Sequence, residues 1–238
     1  MSTPQRILLV IPCFNEERAI TPLLREIAAI GAPWETLVVD DGSNDDTFRA
    51  ASALSPTVRL VANLGIGGAV QTGIRYAARH GFDFCVQIDG DGQHPPAEVT
   101  KLLGAYTALP RSIIVGSRYL ENDGFRSTWP RRLGTRAIAR TLALLFPGAS
   151  ISDPTSGMRL LDRAAIRLFA HRYPHDFPEP ISLAWALRAG LSVSEVSVNM
   201  RAREHGTSSI AGIGSIAYMA RVLGYIVLAR LSRSSSKW

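Results

Sequence analysis

Phe82-Asp83-Phe84-Cys85-Val86-Gln87-Ile88-Asp89-Gly90-Asp91-Gly92-Gln93-His94-Pro95 is the stretch whose reading decides the fold. A mostly apolar, β-compatible run over 84–88 stops abruptly at two carboxylates separated by one glycine. Asp89 and Asp91 repel each other at that spacing, and a cation relieves the repulsion. Mg2+ and Mn2+ take oxygen ligands in octahedral geometry, usually one or two carboxylates together with phosphate oxygens of a ligand. One reading is therefore a metal site that holds a phosphorylated ligand at a strand end. The other is a solvated acidic turn, since Asp and Gly favour turns.

The chain on either side separates these readings. Ile7 to Ile11 is an apolar run ended by Pro12, and Thr36 to Val39, Val58 to Ala62 and Ser112 to Val115 are further short strands. Helical spacing fills the gaps, over Glu16 to Ile30, from a cap at Asn44 through Ala53, from Asn63 to about His80, and from Pro96 to Leu109. Strands alternating with helices predict parallel βαβ units in a doubly wound α/β sheet. Ligands bind such sheets beyond the carboxyl ends of the strands. Asn15-Glu16, Asp40-Asp41, Asn63 and Asp89-Asp91 fall at four consecutive strand ends. That placement favours a metal and nucleotide site over turn composition.

Beyond Arg118 the pattern is less regular. Helices are expected over 131–146, 164–171 and 181–189, with an alternating strand over 191–198. An apolar helix over 210–231 leads into a basic, serine-rich end. This divides the chain into a catalytic domain at 1–209 and a C-terminal helical segment at 210–238.

Composition narrows the partners. The 238 residues suffice for one large α/β domain. The net charge is +6, and of 26 basic residues only Lys101 and Lys237 are lysine. Arginine suits bidentate binding of phosphate. The basic residues are spread out without a nucleic-acid motif, so no nucleic-acid partner is expected. Cys13 and Cys85 lie in apolar runs without metal or redox spacing and read as reduced core residues of a cytoplasmic protein. No signal peptide precedes the strand at Arg6, and no run reaches the roughly 18 apolar residues of a membrane span.

Several side chains carry two readings each. Asp41 is a candidate acceptor for a nucleobase or ribose, or part of a helix cap, and Asp40 braces the loop. Gly65-Ile66-Gly67-Gly68 lacks both the dinucleotide fingerprint and a P-loop lysine, so it reads as a tight strand-to-helix turn rather than a phosphate loop. Arg118 ends a strand on the ligand side, whereas Arg136 and Arg140 fit a solvated helix face equally well. Asp153-Pro154-Thr155-Ser156-Gly157-Met158-Arg159 is a polar turn with functional and structural readings of equal weight. Glu179, between two prolines, is a general base or a helix N-terminal charge. His94 and His205 have no partner at zinc spacing. The tail helix, with Arg221 and Arg230 on opposite faces, lies on a membrane surface with its arginines snorkelling, or packs on the domain or a partner.

Together, 11–17, 39–47, 63–73, 89–95 and 116–119 resemble the ordered motifs of family 2 glycosyltransferases, which have the nucleotide-diphospho-sugar transferase (A-type) fold. The stretches 153–159 and 195–209 are similar to the subgroup acting on polyprenyl phosphates, the dolichyl-phosphate mannosyltransferase-like enzymes. The resemblance implies that Pro12, Phe14, Glu16, Val39 and Asp41 hold the nucleobase and ribose. It implies Asp89 and Asp91 as the metal-binding pair completed by Gln93, with Asp89 and Gly90 also at the nucleotide. It places Arg118 near the donor phosphates or acceptor and Arg203 at the diphosphate. Phe14 stands where tyrosine is commoner, and Ser209 follows Gly206-Thr207-Ser208 where many relatives have lysine. Most membrane-bound relatives carry transmembrane helices after the catalytic domain, and here there is the apolar tail.

The implied activity is an inverting, Mg2+- or Mn2+-dependent transfer from a nucleotide-diphospho-sugar to a polyprenyl phosphate or related cell-envelope acceptor, at the inner face of the cytoplasmic membrane. Asp91, Arg118, Asp153 and Glu179 form the candidate catalytic set. A phosphate acceptor is already an anion and needs no strong base. A hydroxyl on a growing glycan would need a carboxylate, Glu179 or Asp153. That hydroxyl-directed transferase is one alternative, and a non-catalytic nucleotide-sugar-binding module is another. Sugar, nucleotide and self-association are left open.

Overall fold

A computed structural model describes residues 5–120, 129–201 and 214–232. Seven strands form one sheet: β1 (Ile7–Cys13), β2 (Trp34–Asp40), β3 (Thr57–Arg59), β4 (Phe84–Gln87), β5 (Ile113–Ser117), β6 (Arg159–Leu161) and β7 (Val193–Ser197). Their order is β3-β2-β1-β4-β6-β5-β7. All pairs are parallel except those of β6, which runs antiparallel to both β4 and β5.

The period of two along the strands sorts the core into two layers. Leu8, Val10, Leu37, Val39 and Cys85 face a cluster with α3 (Gly65–Arg79), α6 (Arg163–His171) and α7 (Pro178–Arg188). Leu9, Ile11, Val38 and Val86 face the other layer, with α1 (Glu17–Ile30), α2 (Thr47–Ser52) and α4 (Val99–Ala108). Both faces of the sheet are therefore covered, which is why the central strands read as unbroken apolar runs. Both cysteines are free and buried.

Three features differ from the sequence reading. The helix expected from Asn44 begins at Thr47, because the Asp45 carboxylate accepts the Thr47 N–H and hydroxyl, while the Asn44 N–H goes to Asn15 Oδ1. The helix expected from Pro96 opens as a 3-10 turn, Pro96–Glu98, before α4. Strand β6 was not anticipated at all.

The C-terminal helices form a third cluster. Val222, Ile226 and Ala229 of α8 (Gly214–Leu231) pack with Ile138, Leu142 and Phe146, which lie on or just after α5 (Trp129–Leu145), and with Ala184 of α7. The opposite side of α8 leaves Tyr225, Val227, Leu228 and Leu231 exposed. Among the described residues no helix is long and apolar enough to cross a membrane.

Candidate active site

The carboxyl ends of β1, β2 and β4 open into a cleft of about 330 Å3 lined by Pro12, Phe14, Glu16, Asp41, Asp89, Gly90, Asp91 and Glu179, among others. The structure thus brings together most of the residues singled out in the sequence. Val39 is fully buried beneath the cleft and does not line it.

Neighbouring loops hold the cleft residues after β1 and β2 by stitching to one another. Asn15 adopts a left-handed φ of 57°, and its N–H donates to Ser43 Oγ at 2.9 Å. The Glu16 N–H donates to Thr47 Oγ1 at 2.7 Å. Asp41 donates its N–H to the Cys13 carbonyl at 2.8 Å and accepts the Leu64 N–H on Oδ1 at 2.7 Å. Burial pushes the Asp41 carboxyl up, and backbone donors at Leu64 and Gly65 partly offset this. Asp40 points into the loop, accepting the Ser43 N–H, with Arg59 Nε 3.4 Å from its other oxygen. Its role is the bracing expected of it.

The acidic pair is fixed from below. The Asp89 N–H donates to His94 Nδ1 at 3.0 Å, and His94 is buried. Nδ1 is an acceptor there and carries no proton, so its 3.6 Å approach to Asp89 Oδ2 is not an ion pair. Asp91 Oδ1 accepts the Gln93 N–H at 3.0 Å. The Gln93 side-chain amide instead donates to the Arg201 carbonyl at 3.3 Å, and Gln93 does not line the cleft. Arg201 makes a two-pronged pair with Glu26, whose carboxyl is held low chiefly by that hydrogen bond. Cys13 lies under the pair. Burial pushes its thiol well up, and Glu16, Asp40, Asp89 and Asp91 push the same way, so it is an inert wall rather than a nucleophile.

Polar residues of the second half approach from the other side. Gly157 lies against Asp89, and a Cβ there would sit 2.8 Å from both Asp89 carboxylate oxygens. Arg118 and Asp153 form a buried two-pronged pair, Nε–Oδ2 at 2.6 Å and Nη2–Oδ1 at 2.7 Å. Burial acts to lower the Arg118 guanidinium, but the bonds and charge of Asp153 outweigh it and hold it raised. Glu195 accepts the N–H groups of Ser152 and Asp153 at 2.6 and 2.7 Å. Asp153 is thus committed to Arg118, whereas Glu179 faces the cleft with its carboxyl pushed up by burial.

The sequence reading included Glu195 and Arg159 in the stretches 195–209 and 153–159 but gave neither a role of its own. The buried Arg159 guanidinium donates to the carbonyls of Pro154, Ser156 and Glu179 and to Ser182 Oγ. It clamps the 153–157 turn onto the start of α7, where Glu179 sits. Its one signal was an arginine inside the apolar run Met158-Arg159-Leu160. Gly67 packs on the Pro174 and His175 backbone, which supports the turn reading of the 65–68 glycines. Arg132, Arg136 and Arg140 are exposed on α5 and do not reach the cleft. Arg203, Arg126 and His205 lie outside the described residues.

Residues 8–169 match the family described as Glycosyl transferase family 2. The chain belongs to that family. It is a glycosyltransferase, which sets aside the non-catalytic binding module. It is 30% identical to the polyprenol monophosphomannose synthase of Mycolicibacterium smegmatis, over 97% of this chain and 90% of that protein. It is 28% identical to the undecaprenyl-phosphate mannosyltransferase of Micrococcus luteus, over 87% of this chain and 88% of that one. In fold it resembles glucosyl-3-phosphoglycerate synthase from Mycobacterium tuberculosis, solved with Mn2+, UDP and glucosyl-3-phosphoglycerate. There the TM-score is 0.71 at 23% identity, covering 98% of this chain and 82% of that one. The expected A-type fold is borne out.

Proposed function

We propose that this glycosyltransferase moves a sugar from a nucleotide-diphospho-sugar to a polyprenyl phosphate, with inversion and with Mg2+ or Mn2+ as cofactor. The observation that carries the reading is the lining of the cleft. Glu16, Asp41, Asp89, Asp91 and Glu179 supply its charged side chains, and no basic side chain lines it among the described residues. A diphosphate meets these carboxylates more favourably together with a cation than without one. Asp89 and Asp91 fit an ion whose remaining ligands are phosphate oxygens and water. Such an ion, when bound, neutralises charge on the departing nucleotide diphosphate.

The chain's own residues do the rest. Phe14 offers a face for the nucleobase, and Asp41 and Glu16 offer acceptors for base or ribose donors. The Gly157 backbone, pressed on Asp89, fixes the carboxylate's orientation. The pair of Arg118 with Asp153, braced by Glu195 and Arg159, holds the turn that borders the acceptor. A phosphate oxygen of the acceptor attacks the anomeric carbon opposite the leaving group. The new C–O bond forms as the bond to the diphosphate breaks, and no proton need be removed.

The names of the M. smegmatis and M. luteus relatives support the polyprenyl-phosphate acceptor. We place the reaction at the inner surface of the cytoplasmic membrane, with 1–209 as the catalytic domain and 210–238 as the surface segment. Residues 205–238 contain no acidic residue, and the outer side of α8 is apolar and arginine-bearing. One observation favours a hydroxyl acceptor instead: Glu179 faces the cleft with its carboxyl pushed up, as a general base requires.

The test is incubation of purified protein with undecaprenyl phosphate in detergent, radiolabelled GDP-, UDP- and dTDP-sugars, and Mn2+ or EDTA. The expected product is one lipid-linked sugar, formed only with the cation. Label passing to a soluble oligosaccharide, with no lipid product from any donor, would replace this reading with the hydroxyl one.

A further inference from the structure

A larger cleft, about 640 Å3, lies at the opposite end of the sheet from the catalytic one. Arg111, Ser192 and Val193 line it where β5 and β7 begin, whereas Asp91 and Arg118 follow the ends of their strands. The ends of α5, α7 and α8 meet there and bring Arg188 and Arg230 to the same cleft as Arg111. Among the described residues no aspartate or glutamate lines the cleft.

The three arginines are not equivalent. Arg188 Nη1 donates to the carbonyls of Ala229 and Arg230, and Arg230 Nε donates to the Leu145 carbonyl at 3.0 Å. These two satisfy the last carbonyls of α8 and α5, where cations are favoured. Helix ends therefore explain them, although Arg188 Nε and Nη2 and both Nη groups of Arg230 keep free N–H donors among the described residues. Arg111 has no such explanation. Its guanidinium is half-buried and makes no hydrogen bond or ion pair among the described residues. Three arginines line one cleft with no carboxylate among its described lining residues, and an anion bound there is favoured by their charge.

We propose that this cleft is a second ligand site, for a phosphate or diphosphate group. Arg111 is its uncommitted anchor, Arg188 and Arg230 supply further N–H donors, and Leu187 and Leu191 supply apolar walls for the remainder of the ligand. Guanidinium groups match phosphate oxygens in pairs, which selects phosphate over a simple monovalent anion. The same chemistry is found on a soluble phosphorylated molecule and on a phospholipid headgroup. Leu144 and Leu231, 80% and 72% exposed, flank the lining residues Leu145 and Arg230 in sequence and would meet acyl chains in the second case.

The test compares the full chain with Arg111→Gln, which removes no contact that holds the fold. Inorganic pyrophosphate is titrated calorimetrically in EDTA at constant ionic strength, so that cation-dependent binding in the catalytic cleft is absent. Co-sedimentation with phosphatidylglycerol vesicles is measured in parallel. The expected result is a loss of about tenfold or more in affinity in one assay on Arg111→Gln, with melting temperature and sugar transfer unchanged. Loss with pyrophosphate identifies a soluble ligand, and loss with vesicles alone identifies a headgroup. Equal binding by both proteins in both assays, or none by either, overturns the proposal.

Discussion

The two halves of the sheet use acidic residues in opposite ways. In β3-β2-β1-β4 the carboxylates of Asp41, Asp89 and Asp91 end strands and face an open cleft. In β6-β5-β7 and the turn before it, Asp153 and Glu195 are spent on Arg118 and on backbone N–H groups. The first arrangement accumulates like charge and suits a ligand that brings a cation. The second cancels charge internally and gives shape. Polar residues in the two halves therefore answer different questions, what is bound and what holds the binder still.

Substitutions sharpen the contrast. Asp153→Ala strips the buried Arg118 of the carboxylate that accepts both prongs of its guanidinium, so urea denaturation should show a loss of about 3–5 kcal/mol. Adding Arg118→Met should recover part of it, and full additivity would break the account of a coupled pair. Asp91→Asn should do the reverse. Transfer is expected to fall about 10²–10³-fold, while the loss of stability stays well below that of Asp153→Ala, because Asp91 lines an open cleft rather than a buried ion pair. A destabilised Asp91→Asn protein would erase the distinction between the halves.

Gly157→Ala tests the contact between them. The added Cβ forces Asp89 or the turn to shift, and affinity for Mn2+ with nucleotide should fall roughly 10–100-fold with little change in stability. Unchanged affinity would show that Asp89 is not held from that side. The smallest effect is expected of Glu179→Gln. Burial raises the folded carboxyl above its unfolded value, so the folded state binds the extra proton in the window just above the usual glutamate range. Stability contributed by that proton is present at low pH and is lost as pH rises through the folded value. Glu179→Gln should therefore gain stability over the parent only at higher pH, and thermal melts across the range from acid to neutral would show the two curves diverging.

The halves also differ in how far the sequence revealed them. At the ends of β1, β2 and β4 each cleft residue closely follows an apolar strand, so a period of two and a polar break pointed to Glu16, Asp41, Asp89 and Asp91. Local chemistry was enough because parallel βαβ units are built in chain order. On the other side the decisive contacts span long separations. Glu195 meets Asp153 across 42 residues, within a strand whose alternation says nothing about a partner. Strand β6 has three residues, begins with arginine and gains its place only from both neighbours. The helix starts later than Asn44 for a local reason: Asp46 stands at the cap position, the Asp45 carboxylate takes the Thr47 N–H, and Asn44 turns to Asn15.

Strand β6 has a further consequence, for the order in which the chain is made. Strands β4 and β5 cannot complete their inner edges with one another, because Arg159–Leu161 lies between them. Until residue 161 has left the ribosome, the edges of β4 (Phe84–Gln87) and β5 (Ile113–Ser117) that face β6 are unpaired. Such edges template association with other chains. Closing the sheet is thus a late, long-range event of the kind that slows folding. A chain cut just before Arg159 would retain Glu16, Asp41, Asp89 and Asp91 of the cleft, lacking Glu179, yet should accumulate as aggregate rather than as a smaller folded protein.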